Sequence, residues 1–261
     1  MKISEKILQV KEIKKTYGSG ENKTDALRGM TFDVIPGEFL GIMGASGSGK
    51  TTLLNCIATI LRPTSGQIFL GNNEDIFSFD ENELANYRGK KIGYLFQEFE
   101  LLDNLTGREN IELPLAIHNE KLAEREEKLR ELAERLEITS VLEKFPSQMS
   151  GGEKQRVAVA RALISNPHIV LADEPTGALD SKNAKTLMKK LSLLNQEDGA
   201  TILMVTHDAN AASYCSRILF IKDGAIFHEL RRDAPNETQA EFYDRILTVL
   251  AQLGGGSNNV L

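Results

Sequence analysis

Gly44-Ala45-Ser46-Gly47-Ser48-Gly49-Lys50-Thr51 has the spacing G-x-x-x-x-G-K-[ST], between the apolar run FLGIM and the helical-looking KTTLLNCIATIL. That spacing and context suit one chemistry. Glycines let backbone N–H groups close on phosphate oxygens, Lys50 reaches β- and γ-phosphates, and the Thr51 hydroxyl can ligate Mg²⁺. A second set follows the apolar run Ile169-Val170-Leu171-Ala172, which ends in two adjacent carboxylates. Asp173 is expected to help hold Mg²⁺, and Glu174 to orient or deprotonate an attacking water. Alone, such a pair would read as a solvated strand end; the phosphate loop makes the chemical reading the better one.

Three further residues have weaker local support. Gln97 follows the strand-like IGYLF, where its carbonyl can coordinate Mg²⁺ or position water, or it is an ordinary polar strand end. His207 ends TILMVTH, where an imidazole can donate to a γ-phosphate or orient Glu174, or else serve only structure. Tyr17 is the aromatic available to stack on adenine, or it merely flanks a turn.

Met149-Ser150-Gly151-Gly152-Glu153 opens a second helix. Ser150-x-x-Glu153 matches a capping box, so the serine can simply close its own helix. Gly151-Gly152 adds backbone access that a cap does not require. A helix start favours a nearby anion by ~0.3–1 kcal/mol when exposed and up to ~2 when partly buried. Hydrogen bonds to a charged group add ~1.5–3 kcal/mol each. With one side of a nucleotide already surrounded, this surface can come from another copy, so that a two-fold dimer grips two nucleotides.

The elements that must position these residues can be read from periodicity. The first 40 or so residues read as short strands, with a Pro36-Gly37 turn. The helix after the phosphate loop is expected to bury Leu53, Leu54, Ile57, Ile60 and Leu61 and to end at Pro63 and Gly66. GQIFLGN and KIGYLFQ read as strands flanking a polar segment. From Glu98 to Leu163 the pattern is mainly helical, with a capping box at Thr106-x-x-Glu109 and a stripe of Leu122, Leu129, Leu132 and Leu136. HIVLADE and TILMVTH suit buried parallel strands, and RILFIKDGAIFHEL reads as a hairpin turning at Asp223-Gly224. TQAEFYDRILTVLAQL sets Phe242, Ile246, Val249 and Leu253 on one helical face; the GGGSNNVL tail is expected to be disordered.

The chain has 261 residues and a net charge of −6, which argues against a nucleic-acid binder with a broadly basic surface. Two cysteines, Cys56 and Cys215, sit among apolar neighbours and offer neither a disulfide framework nor a CxxC metal site. The first residues lack a signal-peptide pattern, and no stretch approaches the ~20 apolar residues of a membrane span. The expectation is a cytoplasmic protein; any membrane part would come from another chain.

Together, in this order, Tyr17, GASGSGKT, Gln97, MSGGE, VLADE, Ala178-Leu179-Asp180 and His207 resemble an ATP-binding-cassette ATPase over residues 7–230. The resemblance implies an α/β fold: a P-loop NTPase core of ABC-ATPase type, with an N-terminal antiparallel β subdomain and an α-helical subdomain inserted at about 98–165. Residues 231–261 would be a C-terminal amphipathic helix and flexible tail. It implies ATP and Mg²⁺ as ligands, with Gly44, Ala45, Ser46, Gly47, Ser48, Gly49, Lys50, Thr51 and Thr52 on the phosphates. Tyr17 would stack on the adenine; Thr51, Gln97 and Asp173 would be on the metal; Glu174 and His207 would be catalytic. Ser150, Gly151, Gly152 and Asp180 would face a second copy in a head-to-tail ATP sandwich.

Where the family signature usually reads LSGGQ, Met149 and Glu153 stand at its ends. Methionine is a tolerable apolar swap. Glu153 is expected to reach back and cap its helix instead of pointing at a γ-phosphate.

A narrower likeness, in DEPTGALDS, VTHDANAASYCSRILFIKDG and the amphipathic tail, is to the ATPases of bacitracin-type antimicrobial-peptide resistance exporters, grouped with macrolide-export and lipoprotein-release systems. That implies a homodimer on the inner face of the cell membrane, serving a separate integral membrane permease. Docking is expected through about Phe99–Leu115, where EFELLDNL carries more apolar character than a free surface needs, core packing being the alternative reason for it. A sensor kinase reached through the permease is a further partner the likeness allows. A soluble cassette acting on ribosomes or DNA fits less well, since the chain has one cassette and no long coiled-coil insertion. A small-molecule kinase would leave SGG and ALD unexplained.

Overall fold

The computed structural model describes residues 6–71, 74–118, 122–233 and 235–254. Its centre is a six-stranded sheet in the order β5-β6-β7-β3-β8-β9. The strands are β3 (Phe39–Met43), β5 (Ile92–Leu95), β6 (Ile169–Asp173), β7 (Ile202–Thr206), β8 (Arg217–Lys222) and β9 (Ala225–Arg231). All neighbours pair in parallel except β8 and β9, the expected hairpin. A three-stranded antiparallel sheet, β2-β1-β4, is built from β1 (Leu8–Tyr17), β2 (Thr24–Val34) and β4 (Ser65–Leu70).

Strand alternation divides the core in two. From β3, Phe39 and Met43 point to one face and Leu40 and Ile42 to the other; Ile202 and Met204 of β7 oppose Leu203 and Val205 in the same way. With both faces buried, these strands read as unbroken apolar runs. One face is covered by the three-stranded sheet and α1 (Lys50–Ile57). The other is covered by α3 (Gly107–Ile117), α4 (Leu122–Arg135), α5 (Gly151–Leu163), α6 (Ser181–Asp198), α7 (Ala209–Ala212) and α8 (Gln239–Gly254). The remaining helix, α2 (Glu81–Lys91), lies between β4 and β5.

Several expectations hold in detail. Thr106 and Glu109 close the predicted capping box on α3. Leu129 of α4 and Leu136 just beyond its end are buried, and Leu132 packs beside them; the side chain of Leu122 lies outside the described residues. On α8, Phe242, Ile246 and Val249 are buried and Leu253 packs against the same cluster. The 255–261 tail also lies outside the described residues. Both cysteines are free and buried, and burial pushes the Cys56 thiol up to about 11 and raises that of Cys215 as well. Among the described residues no helix is long and apolar enough to cross a membrane.

Two expectations need correction, and one element, α2, was not anticipated. The helix after the phosphate loop stops at Ile57, well before Pro63. The Asn55 carbonyl accepts from the amides of both Ile60 and Leu61, and Thr59 turns to φ +57, so Ile60 swings out to 57% exposure. The polar segment before β5 contains α2, whose Asp80–Glu83 capping box starts a helix with Leu84 as its buried residue. One buried position makes no legible periodicity. Finally, Glu98–Leu105 is not helical. Phe99 and Glu100 both take positive φ, and the Arg161 guanidinium donates to their two carbonyls. Asn110, fully buried, then pins Leu102, Leu105 and Thr106 with its side-chain amide.

Candidate functional site

The parallel registers bring the carboxyl ends of β3, β5, β6 and β7 to one edge. Met43 pairs with Thr206, Asp173 with Val205, and Leu95 with Ala172. Ligands of open α/β sheets bind at such edges.

The phosphate loop leaves β3 there and enters α1. Gly49, the N-cap of α1, has φ +100 and offers no side-chain cap, which leaves the first amides of α1 available to an anion. Its glycine identity is forced twice: by the torsion, and because a Cβ would lie 2.4 Å from the Ala26 carbonyl oxygen of β2. Gly47 has φ +77 but open space around it. Gly49→Ala should therefore lower apo-protein stability by about 1–3 kcal/mol or more, and clearly beyond Gly47→Ala. Equal thermal shifts for the two would remove the contact with Ala26 as the reason.

Lys50 is 6% exposed, with Nζ donating to the carbonyls of Gly44 (2.8 Å) and Ala45 (3.0 Å). Burial lowers its pKa, while Glu174 and Asp173 pull it back up. Loop carbonyls and acids thus hold an ammonium in a desolvated place. Ser48 Oγ is buried with no partner among the described residues.

Thr51 Oγ1 donates to Asp173 Oδ1 at 3.3 Å. Burial raises the Asp173 carboxyl above its ordinary range. A hydroxyl and a carboxylate side by side form a hard-oxygen corner, and a cation there would favour the ionised acid. Among the described residues no cluster of three or more His, Cys, Asp or Glu could hold a metal. The arrangement fits Mg²⁺, which binds through one or two carboxylates and substrate phosphates.

Glu174 sits one residue on, at φ +44, a torsion that costs a non-glycine residue ~1–3 kcal/mol. Its amide donates to the Val205 carbonyl and its own carbonyl accepts from Gly177. The turn aims Oε2 at His207 Nδ1, 3.0 Å away. His207 is largely exposed, so the pair opens to solvent on the same edge as the phosphate loop. Gln97 leaves β5 beside β6; its side chain lies against Gly177, where a Cβ would meet Gln97 Nε2 at 3.2 Å. Tyr17 ends β1 opposite Thr24, two residues before the Ala26 that abuts Gly49. Tyr17 is 43% exposed, with Lys15 Nζ 5.3 Å from its ring centroid.

The second helix start behaves as a cap. Ser150 Oγ accepts from the Glu153 amide, and Glu153 Oε2 accepts from the Ser150 amide at 2.7 Å. Those bonds, with Lys144 nearby, hold the Glu153 carboxyl below its usual range. Glu153 is therefore turned back, as expected; of the two glycines expected to give backbone access, Gly151 is exposed while Gly152 is buried beneath Asn183. No hydrogen bond of the phosphate loop among the described residues reaches Ser150–Gly152. Asp180 caps α6 through Asn183, and Asn183 abuts Gly152, so SGG and ALD form one surface. Sequence reading missed Asn183, Gln155 and the Ala26 carbonyl; nothing local marks them.

An ABC transporter family model matches residues 27–177, more than half of the chain. The chain belongs to the ABC transporter family. It is 49% identical over 254 residues to the ABC transporter ATP-binding protein YxdL of Bacillus subtilis, covering 97% of each. It is 47% identical to the bacitracin export ATP-binding protein BceA of Halalkalibacterium halodurans, covering 97% of this chain and 99% of that one. Among solved structures, the ATP-binding cassette MJ0796 in a dimeric post-hydrolysis state with ADP and Pi superposes with a TM-score of 0.78 at 42% identity. The match covers 86% of this chain and 98% of that one. The fold is thus the P-loop core of an ABC ATPase with an antiparallel β subdomain and an added helical part, and the chain is an ATP-hydrolysing ABC transporter subunit.

Proposed function

We propose that two copies of this chain clasp two MgATP between them and drive a separate membrane permease that confers resistance to antimicrobial peptides. In this reading Lys50 and the amides of Gly44–Thr52 hold the phosphates, and Tyr17 stacks on adenine. Thr51, Gln97 and Asp173 would hold Mg²⁺, which supplies charge neutralisation between phosphate oxygens. Glu174 takes the proton of the attacking water, and His207, donating from Nδ1, fixes the Glu174 carboxylate. Ser150, Gly151, Gly152 and Asp180 serve the partner's nucleotide.

One observation carries the reading: the Thr51–Asp173 corner and the Glu174–His207 pair open on the same sheet edge as the phosphate loop. The SGG surface, which no hydrogen bond among the described residues connects to that loop, fits a clasp supplied in trans. MJ0796 being dimeric with ADP and Pi bound supports the same arrangement. Residues 7–230 would be the cassette, about 98–165 its helical insertion, and 231–261 an extension. The pinned, non-helical stretch from Phe99, with Leu102 45% exposed, is the proposed start of the permease dock, which continues through α3 to Leu115. The chain would then sit in the cytoplasm on the inner face of the membrane. The likeness to a bacitracin exporter's ATPase favours peptides over macrolides or lipoproteins as the transported class.

Purification of the tagged chain from detergent-solubilised native membranes tests this. The expected result is a multi-span permease in stoichiometric yield, whose complex hydrolyses ATP faster with an antimicrobial peptide present. Recovery with ribosomes or nucleic acid and no permease would overturn it.

A further inference from the structure

Gln155 lies on α5 three residues beyond Gly152, so the two share one helix face. That face meets both ends of the loop running from Glu174 to α6. At the near end, Gln155 Nε2 donates to the Pro175 carbonyl at 2.8 Å. At the far end, Asn183 closes on the helix: a Cβ on Gly152 would lie 2.5 Å from Asn183 Oδ1. Asn183 is in turn bonded to Asp180.

Gln155 is 1% exposed, and its Oε1 is buried with no partner among the described residues. Packing alone would be served better by leucine or methionine, which leave no acceptor stranded. The amide is instead turned so that its donor meets the carbonyl directly after Glu174. Glu174 needs such support. Its left-handed torsion persists only where surrounding structure holds it, and Pro175 has no N–H with which to anchor itself.

We infer that Gln155 is a positioning residue for Glu174, tying the helix that begins at Ser150 to the backbone that aims the catalytic carboxylate. This rests on the reading of Glu174 as the base. In a dimer whose Ser150–Gly152 face the partner's nucleotide, the same bond carries the arrival of that nucleotide to the chain's own reacting centre. Each site would then sense the other through one buried amide.

The test uses the full-length chain, purified and assayed with MgATP. Gln155→Met keeps the volume and removes the donor. It should lower kcat by about 10–100-fold, as a small misplacement of a reacting group does, with KM for ATP and the unfolding temperature close to wild type. Gln155→Glu adds a signature that a packing role would not produce. Its ionised carboxylate cannot donate to the Pro175 carbonyl, whereas its protonated form can, so its rate relative to wild type should rise as pH falls.

A wild-type kcat for Gln155→Met, or a pH-independent ratio for Gln155→Glu, overturns the inference. If Gln155→Met does not fold, the pH profile of Gln155→Glu decides. Glu174→Gln, assayed in parallel, separates the two readings. Normal turnover there removes Glu174 as base, while a slow Glu174→Gln beside an unimpaired Gln155→Met removes only the role of Gln155.

Discussion

Replacing Glu174 with glutamine should leave MgATP bound and nearly stop its hydrolysis. A positioned general base is worth about 10²–10⁴ in rate, and the amide keeps the shape while losing the ability to take a proton. Its neighbours explain why little else should change. The backbone at Glu174 is held by Val205 and Gly177, and neither bond involves the side chain. His207 Nδ1, now 3.0 Å from Oε2, can meet the amide oxygen instead. Removing a negative charge beside the phosphates relieves repulsion, so nucleotide affinity should hold or rise. With hydrolysis blocked, the ATP-bound state accumulates; size-exclusion chromatography with MgATP should show a dimer that ADP does not support. Normal phosphate release by Glu174→Gln, or a strictly monomeric elution with the permease also supplied, would contradict the proposed mechanism.

The second large effect is expected at Lys50. Lys50→Ala should weaken ATP binding by about 10–100-fold, the equivalent of losing one charge-assisted hydrogen bond of ~1.5–3 kcal/mol. The fold should bear the change well. The ammonium is desolvated and, among the described residues, is compensated by two loop carbonyls and the nearby acids, so its removal takes away a cost along with the bonds. Equilibrium binding of a fluorescent ATP analogue, with thermal unfolding as the control for folding, measures both. An unchanged affinity would refute the phosphate-loop assignment.

Legibility differed by element for physical reasons. The strands HIVLADE and TILMVTH and the hairpin at Asp223-Gly224 were readable because burial on two faces and a two-residue turn each impose a local pattern. The capping boxes at Thr106 and Ser150 were readable because both partners lie within one helical turn. The α1 terminus was not, since Thr59 turns left-handed to suit tertiary bonds, including one from Arg88. Nor was the Glu98–Leu105 stretch, whose shape depends on Arg161, some sixty residues away.

By itself, the order of types along the chain determined the phosphate loop, the paired carboxylates, the strand-end Gln97 and His207, and the family likeness they carry. The phosphate loop is a short segment whose chemistry is complete within a few residues, and the carboxylates, Gln97 and His207 take their meaning from its company and from the order of the whole set. Only the tertiary structure decided that Thr51 meets Asp173, that Glu174 faces His207 from a strained torsion, that Glu153 turns back onto Ser150, and that Gln155 holds the loop beside the carboxylate. Except for Glu153, which chose between two local orientations, these contacts join residues distant in sequence. Parallel strand register and the packing of α5 on the sheet bring them together, and no local pattern encodes that.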